Sequence, residues 1–218
     1  MSASAVEARG LSKFFGAKVA LEEVSFSLAR GGILALLGHN GSGKSTLLQT
    51  LAGILSPSEG RVHIFGENPV ESEAARARFG FMGHSSLLYG DFSGVENLEF
   101  YARLHGLRDG TARASRWLDY FQLAHAARYR ARAYSQGMRQ RLSLARAVLH
   151  DPDLLLLDEP FAGLDDVSSG LVAKLLADFR TAGRTVIVST HQTAHIDPLA
   201  PQYLRLTQGR VDRERPAS

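Results

Sequence analysis

The sequence predicts an α/β fold: a mainly parallel sheet with helices, an antiparallel β lobe near the N-terminus and a helical insertion. Three observations predict it. The apolar run Ile33-Leu34-Ala35-Leu36-Leu37 feeds a glycine-rich loop that opens a helical pattern over residues 46–52, the strand–loop–helix order of a buried parallel strand. The final third alternates strand and helix patterns, as βαβ units do. Residues 85–135 carry apolar residues at helical spacing and no strand pattern.

The elements follow in order. Residues 6–15 and 19–28 read as two strands separated by Gly16 and closed by Gly31-Gly32. Residues 61–65 read as a third, after the breaker Ser56-Pro57-Ser58-Glu59-Gly60. These three make the antiparallel lobe. Residues 79–82 are a short strand. Val95, Leu98, Tyr101, Ala102 and Leu104 share one helical face, and Gly106 closes that helix. Trp117, Leu118, Phe121 and Leu123 mark a second helix, and these two belong to the insertion 85–135. Residues 136–150 form a helix with Met138, Leu142, Ala145 and Leu149 on one face. A strand over 153–158 follows. A helix over 167–182 has Leu171, Val172, Leu175, Leu176 and Phe179 as its stripe and Gly183 as its stop. A strand over 185–189 comes next. Residues 203–206 and 210–212 pair as a hairpin around Gln208-Gly209, and 213–218 are a frayed tail. The whole of 1–218 reads as one domain.

Composition narrows the function. The chain has 218 residues, 44% of them apolar, and a net charge of +3. Residues 101–150 hold ten Arg against two Asp, which suits a solvated face or a surface beside anionic lipid headgroups. No aromatic residues are interleaved with these arginines as a base-stacking platform requires, so no nucleic-acid partner is expected. There is no Cys, which excludes disulfides and thiolate chemistry and fits a reducing compartment. The start lacks a basic, apolar leader, and no apolar run reaches the ~20 residues of a spanning helix. The expectation is a soluble chain whose membrane role comes through a partner.

The chemistry concentrates in Gly38-His39-Asn40-Gly41-Ser42-Gly43-Lys44-Ser45, followed by Thr46. This is a phosphate-binding loop. Its glycines let successive N–H groups turn inward on an anion, and the following helix adds its positive end. Lys44 reaches β- and γ-phosphates, and the Ser45 hydroxyl is placed for Mg²⁺. The strand Leu154-Leu155-Leu156-Leu157-Asp158-Glu159 ends in two acids. Asp158 suits Mg²⁺, directly or through water. Glu159 points differently and suits an attacking water, as orienter or base.

Four features in one order carry a resemblance: the phosphate loop; Tyr134-Ser135-Gln136-Gly137-Met138 opening a helix; the strand ending Asp158-Glu159; and His191 after a strand. Over residues 5–212 the chain resembles the nucleotide-binding subunit of ATP-binding cassette (ABC) transporters, most specifically in Leu154 to Asp165, LLLLDEPFAGLD. The resemblance implies a P-loop NTPase (RecA-like) core that hydrolyses ATP with Mg²⁺. It also implies a homodimer or pseudo-dimer of ATP-binding subunits, docked on integral membrane permease subunits at the cytoplasmic face of the inner membrane. It assigns Phe15 to stacking on adenine, a core strand residue being the rival reading. It assigns Ser135 and Gly137 to the signature motif, which closes on the other subunit's nucleotide. Tyr134, Gln136 and Met138 depart from the usual Leu-Ser-Gly-Gly-Gln. Gly163-Leu164-Asp165 matches the loop through which subunits touch, and His191 the switch histidine beside the γ-phosphate and Glu159.

One departure is informative. The family usually has glutamine twelve residues before a Glu-Asn-Leu helix start, and here His84 stands there, before Glu96-Asn97-Leu98. An imidazole can still make one hydrogen bond there. His84 and the helix Glu96 to Gly106 resemble the haem-exporter ATPase of cytochrome c maturation and, slightly less, ATPases of drug and polysaccharide (ABC-2 type) exporters. The expectation is the motor subunit of an exporter, of haem in the first reading and of drugs or polysaccharides in the alternative. Translation and repair ATPases of the same family, and regulators that bind nucleotide without turnover, are the rivals from other classes. The second cassette or long coiled-coil insertion of the first is missing from the sequence, and Glu159 and His191 speak against the second.

Overall fold

The structure, a computed structural model, describes residues 4–212. The expected frayed tail lies outside the described residues. Nine strands and six α-helices are described: β1 (Ser4–Phe15), β2 (Lys18–Ala29), β3 (Ile33–Leu37), α1 (Lys44–Leu51), β4 (Glu59–Ile64), α2 (Glu73–Arg76), β5 (Phe79–Met82), α3 (Gly94–Leu104), α4 (Gly110–Tyr120), α5 (Gln136–Val148), β6 (Leu154–Asp158), α6 (Asp166–Thr181), β7 (Thr185–Ser189), β8 (Gln202–Thr207) and β9 (Arg210–Val211).

Strands β2-β1-β4 make a three-stranded antiparallel sheet. Six strands in the order β5-β6-β7-β3-β8-β9 make the main sheet, parallel except for β9. The expected lobe, parallel core and closing hairpin are all present. The strands of the core read as unbroken apolar runs because both faces are covered. Leu34, Leu36, Leu154, Leu156 and Ile187 pack on one side with α1 and the antiparallel lobe. Ile33, Ala35, Leu155, Leu157, Val186 and Val188 pack on the other, with α5, α6 and the helical segment. Leu98, Ala102, Leu118, Phe121 and Leu123 of that segment are fully or almost fully buried in this second core. Truncating Phe121 to alanine would cost about 3–5 kcal/mol.

Several boundaries differ from the sequence reading, for local reasons. Phe65 is not strand: it sits at φ +52° in the turn after β4, where Ile64 bridges Glu67. Gly60 belongs to β4 rather than to the breaker. Its φ is +77°, and a Cβ there would lie 2.2 Å from the Gly10 carbonyl oxygen, so only glycine lets the two backbones approach. The helix α4 stops at Tyr120, yet Phe121 and Leu123 stay buried in the turn beyond. Helix α3 starts with a capping box, Ser93 Oγ accepting from Glu96 N while Glu96 Oε2 accepts from Ser93 N at 2.7 Å. Those Ser93 N–H and hydroxyl bonds hold the Glu96 carboxyl below its ordinary pKa.

Candidate nucleotide site

The C-terminal ends of four adjacent parallel strands build the site. In the order of the sheet, β5 leads to His84, β6 ends at Asp158 and leads to Glu159, β7 leads to His191, and β3 leads to the phosphate loop. This carboxyl edge is where open α/β sheets bind ligands. A cavity of about 460 Å³ lies there, lined by Asn40, Gly41, Gly43, Lys44, Ser45, Thr46, His84, Asp158, Glu159 and His191. Residues distant in sequence thus converge on one space. The loop's Gly38, His39 and Ser42 do not line it: Ser42 is buried beneath the loop, and Gly38 and His39 lend carbonyls to Lys44.

Helix α1 opens with Gly43 at φ +108°, without a side-chain cap and without an acid in its first turn. A Cβ on Gly43 would lie 2.7 Å from the Ala20 carbonyl oxygen. Lys44 is buried, and its Nζ donates to the Gly38 and His39 carbonyls at 2.7 and 3.2 Å. It also lies 3.7 Å from Glu159 Oε1. That carboxylate oxygen is buried and has no hydrogen-bond partner among the described residues. A desolvated cation, an uncapped helix start and an orphaned carboxylate oxygen on one cavity fit a phosphate group and a water nucleophile.

The two acids differ as their neighbours differ. Asp158 is buried at the end of β6 beside its register partner Ser189, whose hydroxyl donates to Asp158 Oδ1 at 2.6 Å. Glu159 has φ +50°, a left-handed conformation that strains a residue with a Cβ. Its N–H donates to Ser189 O and Oγ at 3.1 and 2.9 Å. Its Oε2 lies 3.0 Å from His191 Nδ1. The Ser45 hydroxyl and the Asp158 carboxylate are hard oxygen donors of the kind Mg²⁺ takes alongside phosphate oxygens and water. Among the described residues no group of three or more His, Cys, Asp or Glu is placed to hold a metal ion.

Phe15, Ser135 and Gly137 stand apart from this cavity. Phe15 is at the tip of the β1–β2 hairpin, 47% exposed, with Lys13 Nζ 5.2 Å from its ring. That exposure excludes the reading of Phe15 as a core residue. Lys18, Val19 and Ala20, just after it, line the cavity instead, and sequence reasoning missed them. The only signal was their place beside the hairpin turn. Ser135 is exposed and caps α5, its Oγ accepting from Met138 N at 3.2 Å. Asp165, in the expected contact loop, caps α6 by accepting from Ser168 N at 2.8 Å. Ser168's hydroxyl and N–H hold its carboxyl below the usual range.

His84 is exposed and borders both the main cavity and an adjoining one of about 320 Å³ that reaches Gln136, Arg139 and Gln140 of α5. The loop after it is tied down at its far end. The buried Asn97 amide holds Tyr89 N and O, Phe92 O and Ser93 O at 2.8–3.3 Å. Tyr89, Phe92, Phe100 and Tyr101 form an aromatic group there, partly exposed.

The ABC transporter family model matches residues 21–162, well over half of the chain. The chain belongs to the ABC transporter family. A daunorubicin resistance ATP-binding protein of Streptomyces coeruleorubidus is 37% identical over 217 residues, covering 98% of this chain and 69% of that protein. A Nod factor export ATP-binding protein I of Bradyrhizobium diazoefficiens is 36% identical over 212 residues, covering 96% and 69%. Among solved structures, an ATP-binding subunit of an ABC transporter superposes with a TM-score of 0.86 at 29% identity, covering 95% of this chain and 88% of that one. A dimeric ATP-binding cassette in a post-hydrolysis state, bound to ADP and Pi, gives 0.87 at 26% identity, covering 96% and 97%. The fold is therefore the P-loop NTPase fold of ABC cassettes, and the chain is an ATP-binding, ATP-hydrolysing ABC transporter subunit. These relatives bear the names of daunorubicin resistance and Nod factor export ATP-binding proteins, so the haem-exporter expectation gains no support from them.

Proposed function

We propose that this chain is the motor subunit of a drug- or polysaccharide-type (ABC-2) exporter, acting as one ATP-binding domain of which residues 85–135 are the helical part. The convergence of Lys44, Asp158, Glu159, His191 and His84 on one cavity carries the catalytic reading. The relatives with drug-resistance and Nod factor export names support the exporter class. The ligand is ATP: Asn40, Gly41, Gly43 and Thr46 offer backbone to the phosphates, Lys44 offers charge, and Phe15 offers a ring face to adenine. Mg²⁺, when bound, would be held by Ser45 and Asp158 and would neutralise charge on the phosphates.

The chemistry asked of the protein is positioning and charge. Lys44 counters the negative charge of the leaving diphosphate side. Glu159 Oε1 orients a water and takes its proton as the water oxygen bonds to the γ-phosphorus and the bond to ADP breaks. His191 holds the other carboxylate oxygen and so fixes the aim of the first. His84, which lines the same cavity, makes one hydrogen bond toward the same water.

Two copies acting as a homodimer, or one copy in a pseudo-dimer, would complete each site. Ser135 and Gly137 lie off the cavity of their own chain, which supports their use on a partner's nucleotide. Among the described residues no helix is long and apolar enough to cross a membrane. This reading assigns membrane attachment to permease subunits at the cytoplasmic face, with the aromatic group around Tyr89 and Phe100 as the docking region. The test reconstitutes the chain with its permease. ATP-dependent export of a drug or polysaccharide by the wild type, lost in Glu159→Gln, is the expected result. ATPase activity indifferent to every membrane partner would overturn it.

A further inference from the structure

The loop that carries Glu159 is strained at φ +50°, so something must hold it. Ser189 holds the Glu159 N–H from β7. Ala162 N donates to Glu159 O at 3.1 Å within the loop, and the side-chain hold comes from α5. Gln140 Nε2 donates to the carbonyls of Glu159 and Pro160 at 3.1 and 3.3 Å. No other described side chain donates to either oxygen. Gln140 is five residues after Ser135 on the same helix. The first turn of that helix also meets the far end of the same loop. A Cβ on Gly163 would lie 2.7 Å from Gln136 Nε2, and one on Gly137 would lie 3.6 Å from the Gly163 carbonyl oxygen.

We propose that Gln140 is a positioning residue for hydrolysis: its amide fixes the backbone of Glu159 and Pro160, and with it the aim of the Glu159 carboxylate. The inference rests on the reading of Glu159 as proton acceptor. A second consequence follows from the shared helix. Ser135 and Gly137 at the start of α5 are joined through Gln140 to the backbone of Glu159, so a shift of the helix is passed to that residue through this side chain, beside the contacts of Gln136 and Gly137 with Gly163.

Steady-state ATPase assays on the full chain test this with two near-isosteric variants. Gln140→Met keeps the volume and removes the donor. A misplaced catalytic group of this kind costs on the order of 100-fold in kcat, with KM for ATP and the melting temperature near wild type. Gln140→Glu sets a carboxylate against two carbonyls at neutral pH. Its kcat relative to wild type should rise as pH falls from about 8 to about 5.5, because the protonated acid regains an O–H donor. The Gln140→Met ratio should stay flat over the same range. Wild-type kcat in Gln140→Met, or a flat Gln140→Glu ratio, would overturn the proposal. Glu159→Gln, assayed alongside, separates the two readings. Turnover surviving in Glu159→Gln removes the premise. An inactive Glu159→Gln beside a fully active Gln140→Met removes this inference alone.

Discussion

The starts of α1 and α5 are both helix N-termini built from serine and glycine, and they are made in opposite ways. At α1 the cap residue is Gly43, no side chain satisfies the first N–H groups, and the adjacent Lys44 is buried over the loop carbonyls. At α5 the cap is Ser135, whose own hydroxyl already accepts from Met138 N, and the surroundings are exposed. The first leaves backbone donors and a desolvated charge free to meet an anion. The second satisfies one donor internally and offers its surface outward. On the proposed reading a phosphate binds at α1 from one copy, whereas α5 contributes only when another surface is brought against it.

Lys44→Ala should have the largest effect, because it strikes the self-sufficient end. Removing a charge-assisted contact to phosphate costs about 1.5–3 kcal/mol or more. Equilibrium titration should show ATP affinity down by an order of magnitude or more, with turnover abolished. Normal affinity together with normal turnover would mean that α1 does not hold the phosphates. Glu159→Gln leaves that end intact and should keep binding while slowing hydrolysis by roughly 10²–10⁴-fold. An ATP-trapped dimer should then appear on sizing. Wild-type single-turnover rates would shift the proton acceptor to His191.

Ser135 probes the outward-facing end. Ser135→Asp keeps a capping oxygen but adds a negative charge, so stability should hold and binding of ATP to the single chain should not change. ATP-dependent dimerisation should weaken, by about 1–3 kcal/mol for a charge facing phosphate. Dimerisation by Ser135→Asp equal to wild type, measured by analytical ultracentrifugation with Glu159→Gln in both backgrounds, would show that α5 never meets a nucleotide.

What the sequence made legible follows the same divide between local and distant. The phosphate loop, Asp158-Glu159 and His191 could be read because each sits at a strand end whose apolar run is visible in one window. The sheet order could not be read, and with it went every residue that acts across the sheet. Ser189 reaches Asp158 only because β7 pairs with β6 in that register. Gln140 reaches Glu159 only because α5 lies against the loop after β6. The hairpin residues Lys18, Val19 and Ala20 line the cavity because Gly43 and Gly209 let the Ala20 backbone approach. Asn97 reads in the sequence as part of a Glu-Asn-Leu motif, but its hold on Tyr89 and Phe92 needs the fold. The short α2 carried too few residues to show a period.

Phe15 offers the smallest effect and the sharpest discrimination between the sugar–base end and the phosphate end of the site. Its ring is 47% exposed and packs on no core cluster, so Phe15→Ala should leave the melting temperature nearly unchanged. If the ring stacks on adenine when nucleotide enters, losing it costs roughly 1 kcal/mol, about fivefold in affinity. The loss should fall on ATP and spare inorganic triphosphate, whose contacts all lie at the loop around Lys44. The hairpin neighbour Val19, which does line the cavity and is also exposed, supplies the control. If Val19→Ala weakens ATP and Phe15→Ala does not, the base rests on the hairpin's following strand rather than on its tip. Equal losses of ATP and triphosphate in Phe15→Ala would mean that the hairpin shapes the loop instead of touching the base. Isothermal titration with the two ligands distinguishes these outcomes, because stacking changes only the ligand that carries a ring.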